Sequence, residues 1–299
     1  MIRTSVLSGH SGSVYALACD NHNRCFSGGG DRIVAEWDLD KPDDGVVMAK
    51  VHDIVYSILP LPNHRMLVGQ ASGGIHVINL ETRQEERLLQ YHKSGIFNMG
   101  YSPVNGLVIS LTGDGELGVM EMESLTLARM LTLGGGKLRD FDWNKDETLL
   151  ALGSGDGRVR VFSFPELKEV ASWQSHQEGF STNAVCFSPD GRYLLTGSRD
   201  AHLKVYDVRD DFKPMLDIPA HNYAIYSIVF SPDGKVFATA SRDKTIKIWD
   251  PETFEVIQRI DKDRSQGHVN SVNKVVWHPG NGSLISASDD RSVMVWKRM

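Results

Sequence analysis

Read for its alternation of apolar and polar positions, the chain is strand throughout. Ile225–Phe230 is a short apolar run rich in β-branched and aromatic residues. Ser231-Pro232-Asp233-Gly234 follows, with Pro and Gly placed for a tight reverse turn. Lys235–Ala240 reads as a second strand, and Ser241–Lys244 as a second turn. Thr245–Asp250 alternates with period two. Pro251-Glu252-Thr253 breaks the chain, and Phe254–Ile260 makes a fourth strand. No helical period appears, so the pattern predicts an antiparallel all-β array.

This unit recurs. Asn183–Asp207 reads NAVCFSPDGRYLLTGSRDAHLKVYD, and the C-terminal stretch contains NSVNKVVWHPGNGSLISASDDRSVMVW. Each copy places an Asp six residues before an apolar or aromatic residue: Asp31 before Trp37, Asp114 before Met120, Asp156 before Phe162, Asp200 before Tyr206, Asp243 before Trp249 and Asp290 before Trp296. One copy departs, with Ser72 before Ile78. The mean spacing is about 43 residues, so seven copies fill residues 1–299 as one domain.

Gly-His at the start of the unit, Ser-x-Asp in its middle and Trp-Asp at its end resemble the WD40 repeat family. The resemblance is strong in copies five to seven and degenerate in copies two to four. It implies a seven-bladed β-propeller of four-stranded antiparallel blades. The last copy stops after its third strand, Val293–Lys297, and Ile2–Leu7 belongs to no complete copy. The resemblance implies that Ile2–Leu7 completes the last blade and covers its edge.

Composition narrows the function. The chain carries 32 Lys+Arg against 38 Asp+Glu, a formal charge of −6, with 41% apolar residues. That balance is ordinary for a soluble globular protein and speaks against a polynucleotide partner. No apolar run is long enough for a signal peptide or membrane span, so the expectation is a cytoplasmic protein. Cys19, Cys25 and Cys186 are too few for a disulfide framework. Cys19 and Cys25 could face each other across a hairpin; reduced core thiols are the expectation.

Six histidines recur in register: His10, His52, His92, His176, His221 and His268. Repetition around a ring argues for architecture over catalysis. In WD40 proteins this His bonds the loop Asp, and a Ser and a Trp complete the network. The resemblance thus implies His221, Ser241, Asp243 and Trp249 in copy six, and His268, Ser288, Asp290 and Trp296 in copy seven. Copy one has Gly29 for the Ser, copy five has Tyr206 for the Trp, and copy four has no His, so weaker locks are expected there. Gly134-Gly135-Gly136-Lys137-Leu138 lacks the Ser/Thr and helix of a phosphate loop and reads as a turn. No catalytic group, cofactor or metal site is predicted.

Function should then sit where the copies differ. In the resembled family one rim of the ring binds partners, with contacts early in the first strand and just before the structural Asp. Those positions give Tyr15, Tyr56, Phe97, Lys137, Arg139, Arg199, Tyr226 and Arg242, an aromatic shelf beside a basic arc. Such a rim suits a segment combining apolar side chains with acidic groups. The expectation is a non-enzymatic scaffold binding a protein or peptide, as a monomeric propeller or a subunit of a complex. Two rivals stay open: a propeller hydrolase or lactonase with a channel metal, and a phospho-ligand or nucleic-acid reader using the basic arc.

Overall fold

The computed structural model describes residues 1–298. Twenty-eight strands form seven four-stranded antiparallel sheets, the blades of a propeller. The first strands of blades one to seven are Val14–Cys19, Val55–Leu61, Ile96–Ser102, Leu138–Trp143, Thr182–Phe187, Ile225–Phe230 and Val272–Trp277. They meet one another in ring order, and Val14–Cys19 touches both its neighbour Val55–Leu61 and the last, Val272–Trp277. The ring is therefore closed around a central channel.

Each blade is a slab whose faces pack on its neighbours. Second strands such as Tyr193–Ser198 are buried on both faces, whereas outer strands such as Lys213–Pro219 are exposed. The cores straddle the joints between blades. Phe26, Val34 and Met48 of blade one, for example, pack with Val55, Ile58 and Met66 of blade two.

Ring closure follows the expectation. Ile2–Ser8 pairs antiparallel with Ser292–Lys297, from Ile2 opposite Lys297 to Ser8 opposite Ser292. Leu7 is fully buried between blades. The terminal strand thereby saturates an edge that would otherwise expose unpaired N–H and C=O groups.

The structure corrects three local readings. The second and fourth strands of blade six are shorter than the pattern suggests, Phe237–Ser241 and Val256–Ile260. In the first case Ser231 ties to Val236 through both main chain and Oγ, so the turn absorbs two more residues. Two short helical turns also appear, Val208–Asp210 and Lys262–Ser265, each capped by an Asp side chain. Finally, Cys19 and Cys25 are not free thiols. They stand directly opposite in the first hairpin, with Cα atoms 4.2 Å apart, and are joined as a disulfide. Cys186 is the free, buried one. Among the described residues no helix is long and apolar enough to cross a membrane.

Candidate functional site

Two sets of polar residues repeat around the ring, and their geometry separates them. The first set locks the loops. In blade six, His221 Nδ1 lies 2.9 Å from Asp243 and Nε2 lies 2.8 Å from Thr239 Oγ1. Trp249 Nε1–H donates to the same Thr239 oxygen at 2.9 Å. With the carboxylate ionised, Nδ1–H donates to Asp243, the Thr hydroxyl donates to Nε2, and the indole donates to the hydroxyl. Both imidazole nitrogens, the hydroxyl and the indole N–H of this lock are then satisfied. Burial opposes the charge on Asp243, but the bonds from His221, Thr245 and the Asn222 amide prevail and hold its pKa well below the usual carboxylate range. Burial in turn lowers the pKa of His221, against the pull of Asp243.

This corrects the expected membership. Ser241 is not the hydroxyl of the lock; Thr239, two residues earlier, is. Alternation along a strand puts Thr239 on the face toward the His, while Ser241 Oγ donates to the Tyr223 carbonyl and accepts from the Asp243 amide. Blade seven repeats the shift: Ser286, not Ser288, bridges His268 and Trp296, with Asp290 on His268. Blade one also carries a complete lock of His10, Ser27, Asp31 and Trp37, so Gly29 does not weaken it. A side chain at Gly29 would collide with the Ser13 carbonyl, 1.9 Å from an added Cβ.

The remaining blades improvise. In blade five, Tyr206 reaches the hydroxyl of Thr196 through Ser175, and His176 still binds Asp200. In blade three, His92 bonds Ser110 and Glu116, while Asp114 turns to Thr112. In blade two, His52 is exposed and a buried His76–Gln70 pair substitutes at 3.0 Å. Blade four has no His, and Asp156 caps the turn at Ser154 and Arg158.

The second set faces the channel. Every first strand carries a β-bulge near its start, where pairing skips one residue. The skipped residues are Tyr15, Tyr56, Phe97, Arg139, Asn183, Tyr226 and Asn273. A bulge re-aims its side chain, and all seven line one cavity of about 460 Å³ at the channel mouth. The residue two before the bulge closes the rim in most blades. Thus Ser13 O accepts from Gly30 N, and Ala224 O accepts from Arg242 N.

The mouth has a built asymmetry. Tyr15 packs edge-on to Tyr56 with ring centres 5.8 Å apart, and Tyr56 stacks on Phe97 at 5.1 Å. The Arg139 guanidinium lies over Phe97 at 4.7 Å, and the Lys137 ammonium lies 5.8 Å from the same ring. Gly113 makes room for Phe97, whose ring edge would sit 2.9 Å from an added Cβ. Burial lowers the Arg139 pKa, opposed by the Tyr226 and Tyr56 phenols. Burial raises the Tyr56 pKa. Of the eight rim residues named from sequence, Tyr15, Tyr56, Phe97, Lys137, Arg139, Tyr226 and Arg242 line this cavity and Arg199 does not. Arg199 leans over Phe180, 6.0 Å away, while Asn183 fills the mouth in blade five.

Sequence reasoning missed the layer beneath. Asp140 and Lys274 occupy the position just past the bulge, where the other blades carry Ala16, Ser57, Asn98, Ala184 and Ser227. Asp140 accepts from Asn98 Nδ2 at 2.6 Å and from the Val185 amide at 3.1 Å, with Lys274 Nζ 4.0 Å away. Burial raises its pKa against the pull of Lys274. Asp142, two residues on, accepts from the Phe187 amide at 2.8 Å, and burial pushes its pKa up to about 7. Asp-x-Asp inside a first strand was the available signal.

A family profile described as WD domain, G-beta repeat matches residues 2–38, 129–163, 167–207, 212–250 and 262–297, more than half of the chain. The chain is 29% identical over 211 residues to Meiotic fizzy-related protein 1 of Schizosaccharomyces pombe, covering 67% of this chain and 48% of that protein. It is 27% identical to THO complex subunit 3 of Arabidopsis thaliana, covering 68% and 65%. It is 30% identical to Protein HIR1 of Eremothecium gossypii, covering 52% and 22%. The matched regions thus span less than two thirds of these relatives. The propeller domain of Doa1 superposes with a TM-score of 0.86 at 19% identity, covering 100% of this chain and 97% of that one.

Proposed function

The chain belongs to the WD40 repeat family, and from that premise we propose that it is a non-catalytic interaction module that binds a protein or peptide segment at the channel mouth. One observation carries the reading: seven bulges, one per blade, aim side chains of four kinds (Tyr, Phe, Arg and Asn) into a single cavity. The complete locks of blades one, six and seven are near-copies of one another because they serve the fold. The bulge residues are aromatic in blades one, two, three and six, Arg in blade four and Asn in blades five and seven, an uneven set that suits a ligand without seven-fold symmetry. A stacked Tyr56–Phe97 pair offers wide contact area at low entropic cost, and its neighbours supply charge. A relative that is by name a subunit of the THO complex supports a role in assemblies.

Affinity capture from native extract tests the reading. Wild type is compared with Tyr226→Ala and with a variant in which Lys137 and Arg242, both at the mouth, are reversed in charge. Tyr226→Ala should weaken a captured partner by more than about 1 kcal/mol with little change in Tm. The double reversal should slow association and flatten its salt dependence. If every captured partner binds both variants as well as wild type, the partner site lies elsewhere, and the outer edges of the blades are next.

A further inference from the structure

The charge at the channel mouth is opposite in sign to that of the chain. The cavity is lined by four cations, Lys137, Arg139, Arg242 and Lys274, and two acids, Asp140 and Asp289, in a protein of net charge −6. Both acids are already committed. Asp140 is held by Asn98 and the Val185 amide, with Lys274 beside it, and Asp289 accepts from Asn273 Nδ2 at 2.8 Å. Among the described residues Lys137, Arg139 and Arg242 make no ion pair, although Asp140 follows Arg139 directly. The bulge at Arg139 accounts for this: the skipped Arg139 side chain turns onto Phe97, while Asp140, back in register opposite Gly153, bonds Asn98 and the Val185 amide.

Arg139 is the residue that this arrangement leaves incomplete. Its Nε is buried with no hydrogen-bond partner, and its guanidinium rests on Phe97. Lys137, exposed, approaches the same ring, and Arg242, also exposed, completes the arc from blade six. A guanidinium whose buried Nε has no acceptor and whose remaining N–H groups face the mouth presents a donor fork that a planar acid group matches.

We infer that the mouth holds an anion subsite centred on Arg139, which takes an acidic group, carboxylate or phosphomonoester, carried next to a flat apolar group that lies on the Tyr56–Phe97 pair. This rests on the mouth being the binding site and specifies what it recognises there. Lys137 and Arg242 flank the anion and raise its local concentration. The aromatic pair selects among anions, since inorganic ions alone gain nothing from it.

Phenyl phosphate, phenylacetate and phenol are the probes, titrated into the whole chain and followed by NMR line shape and calorimetry at low salt. Phenyl phosphate and phenylacetate should bind saturably and phenol should not, and the ratio of the two acids tells which charge the subsite prefers. Arg139→Gln should weaken both acids about tenfold, and Lys137→Gln and Arg242→Gln about threefold each, with Arg139→Lys intermediate. Because Arg139 is packed on Phe97, the two exposed variants keep the test valid if Arg139→Gln fails to fold. Equal binding of phenol and the acids, or acid binding indifferent to all these variants, overturns the subsite. If the acids fail to bind while partner capture still depends on Tyr226, only the anion subsite falls and the mouth stands.

Discussion

The side chain that organises each complete lock is the hydroxyl ten residues before the aromatic, because it serves two donor–acceptor partners at once. Thr239→Val removes the acceptor of the Trp249 indole and the donor to His221 without changing volume much. It should cost roughly 1–3 kcal/mol in denaturant unfolding at unchanged m value, and more than Ser241→Ala, which loses only the loop clamp. A larger loss for Ser241→Ala would reverse the assignment. Asp243→Ala strands His221 and should likewise cost roughly 1–3 kcal/mol, whereas Asp114→Ala, whose carboxylate is exposed and bonds only Thr112, should cost less. The family resemblance reached the histidine, the acid and the indole but placed the hydroxyl two residues too late, at Ser241 and Ser288, since both positions carry Ser or Thr in most copies. Copy one held the discriminating residue. There Gly29 has no hydroxyl, so Ser27 alone could serve His10 and Trp37.

At the scale of the strand, the first strand of each blade must satisfy a free edge toward the channel, and it does so with polar side chains from its neighbour. Ser57 Oγ donates to Ile96 O, Asn183 Nδ2 to Ile225 O, and Asn273 Nδ2 to Val14 O. In Leu138–Trp143 this work falls to two carboxylates, Asp140 and Asp142, and so acquires a pH dependence. Burial pushes the Asp142 pKa up to about 7 from its ordinary 3.8, so between those values the folded chain keeps a proton that the unfolded chain has released. Its contribution to stability must fall as pH rises through that window. Asp243 and Asp290, with lowered pKa values, act in the opposite sense below it: their stabilisation is present above the unfolded pKa and is lost as pH falls. Asp142→Asn should therefore flatten the decline of Tm from about pH 4 to about pH 7 and leave the acid limb unchanged; an unaltered slope would remove Asp142 from this role. The alternation of the strands was legible in the sequence, but the bulges were not. A one-residue skip leaves no mark in a short apolar run, so it was the family resemblance, together with the variation among Tyr15, Arg139 and Asn183, that pointed to the mouth.

At the scale of the whole molecule, closure depends on one terminal strand, and its absence would open the ring between the last blade and the first. Leu7, fully buried among Cys25, Trp37 and Val293, anchors it. Leu7→Ala should cost about 2–5 kcal/mol. Deleting Met1–Leu7 should cost more and expose the free edge of Ser292–Lys297, with a lower Tm and association of the chain in sedimentation; an unchanged Tm would contradict the closure. Seven copies and their closure were readable because they repeat, whereas the Asp140–Lys274 layer occurs once and left no period to follow. The central claim is that the channel mouth, and not the blade edges, receives the partner. The most direct measurement places a photo-crosslinking amino acid at Tyr226 or Tyr15 in the mouth and, separately, at exposed Leu216 on the outer strand of blade five, then irradiates each protein in native extract. The account predicts discrete adducts from the two mouth positions and none from Leu216. Adducts from Leu216 alone would contradict it.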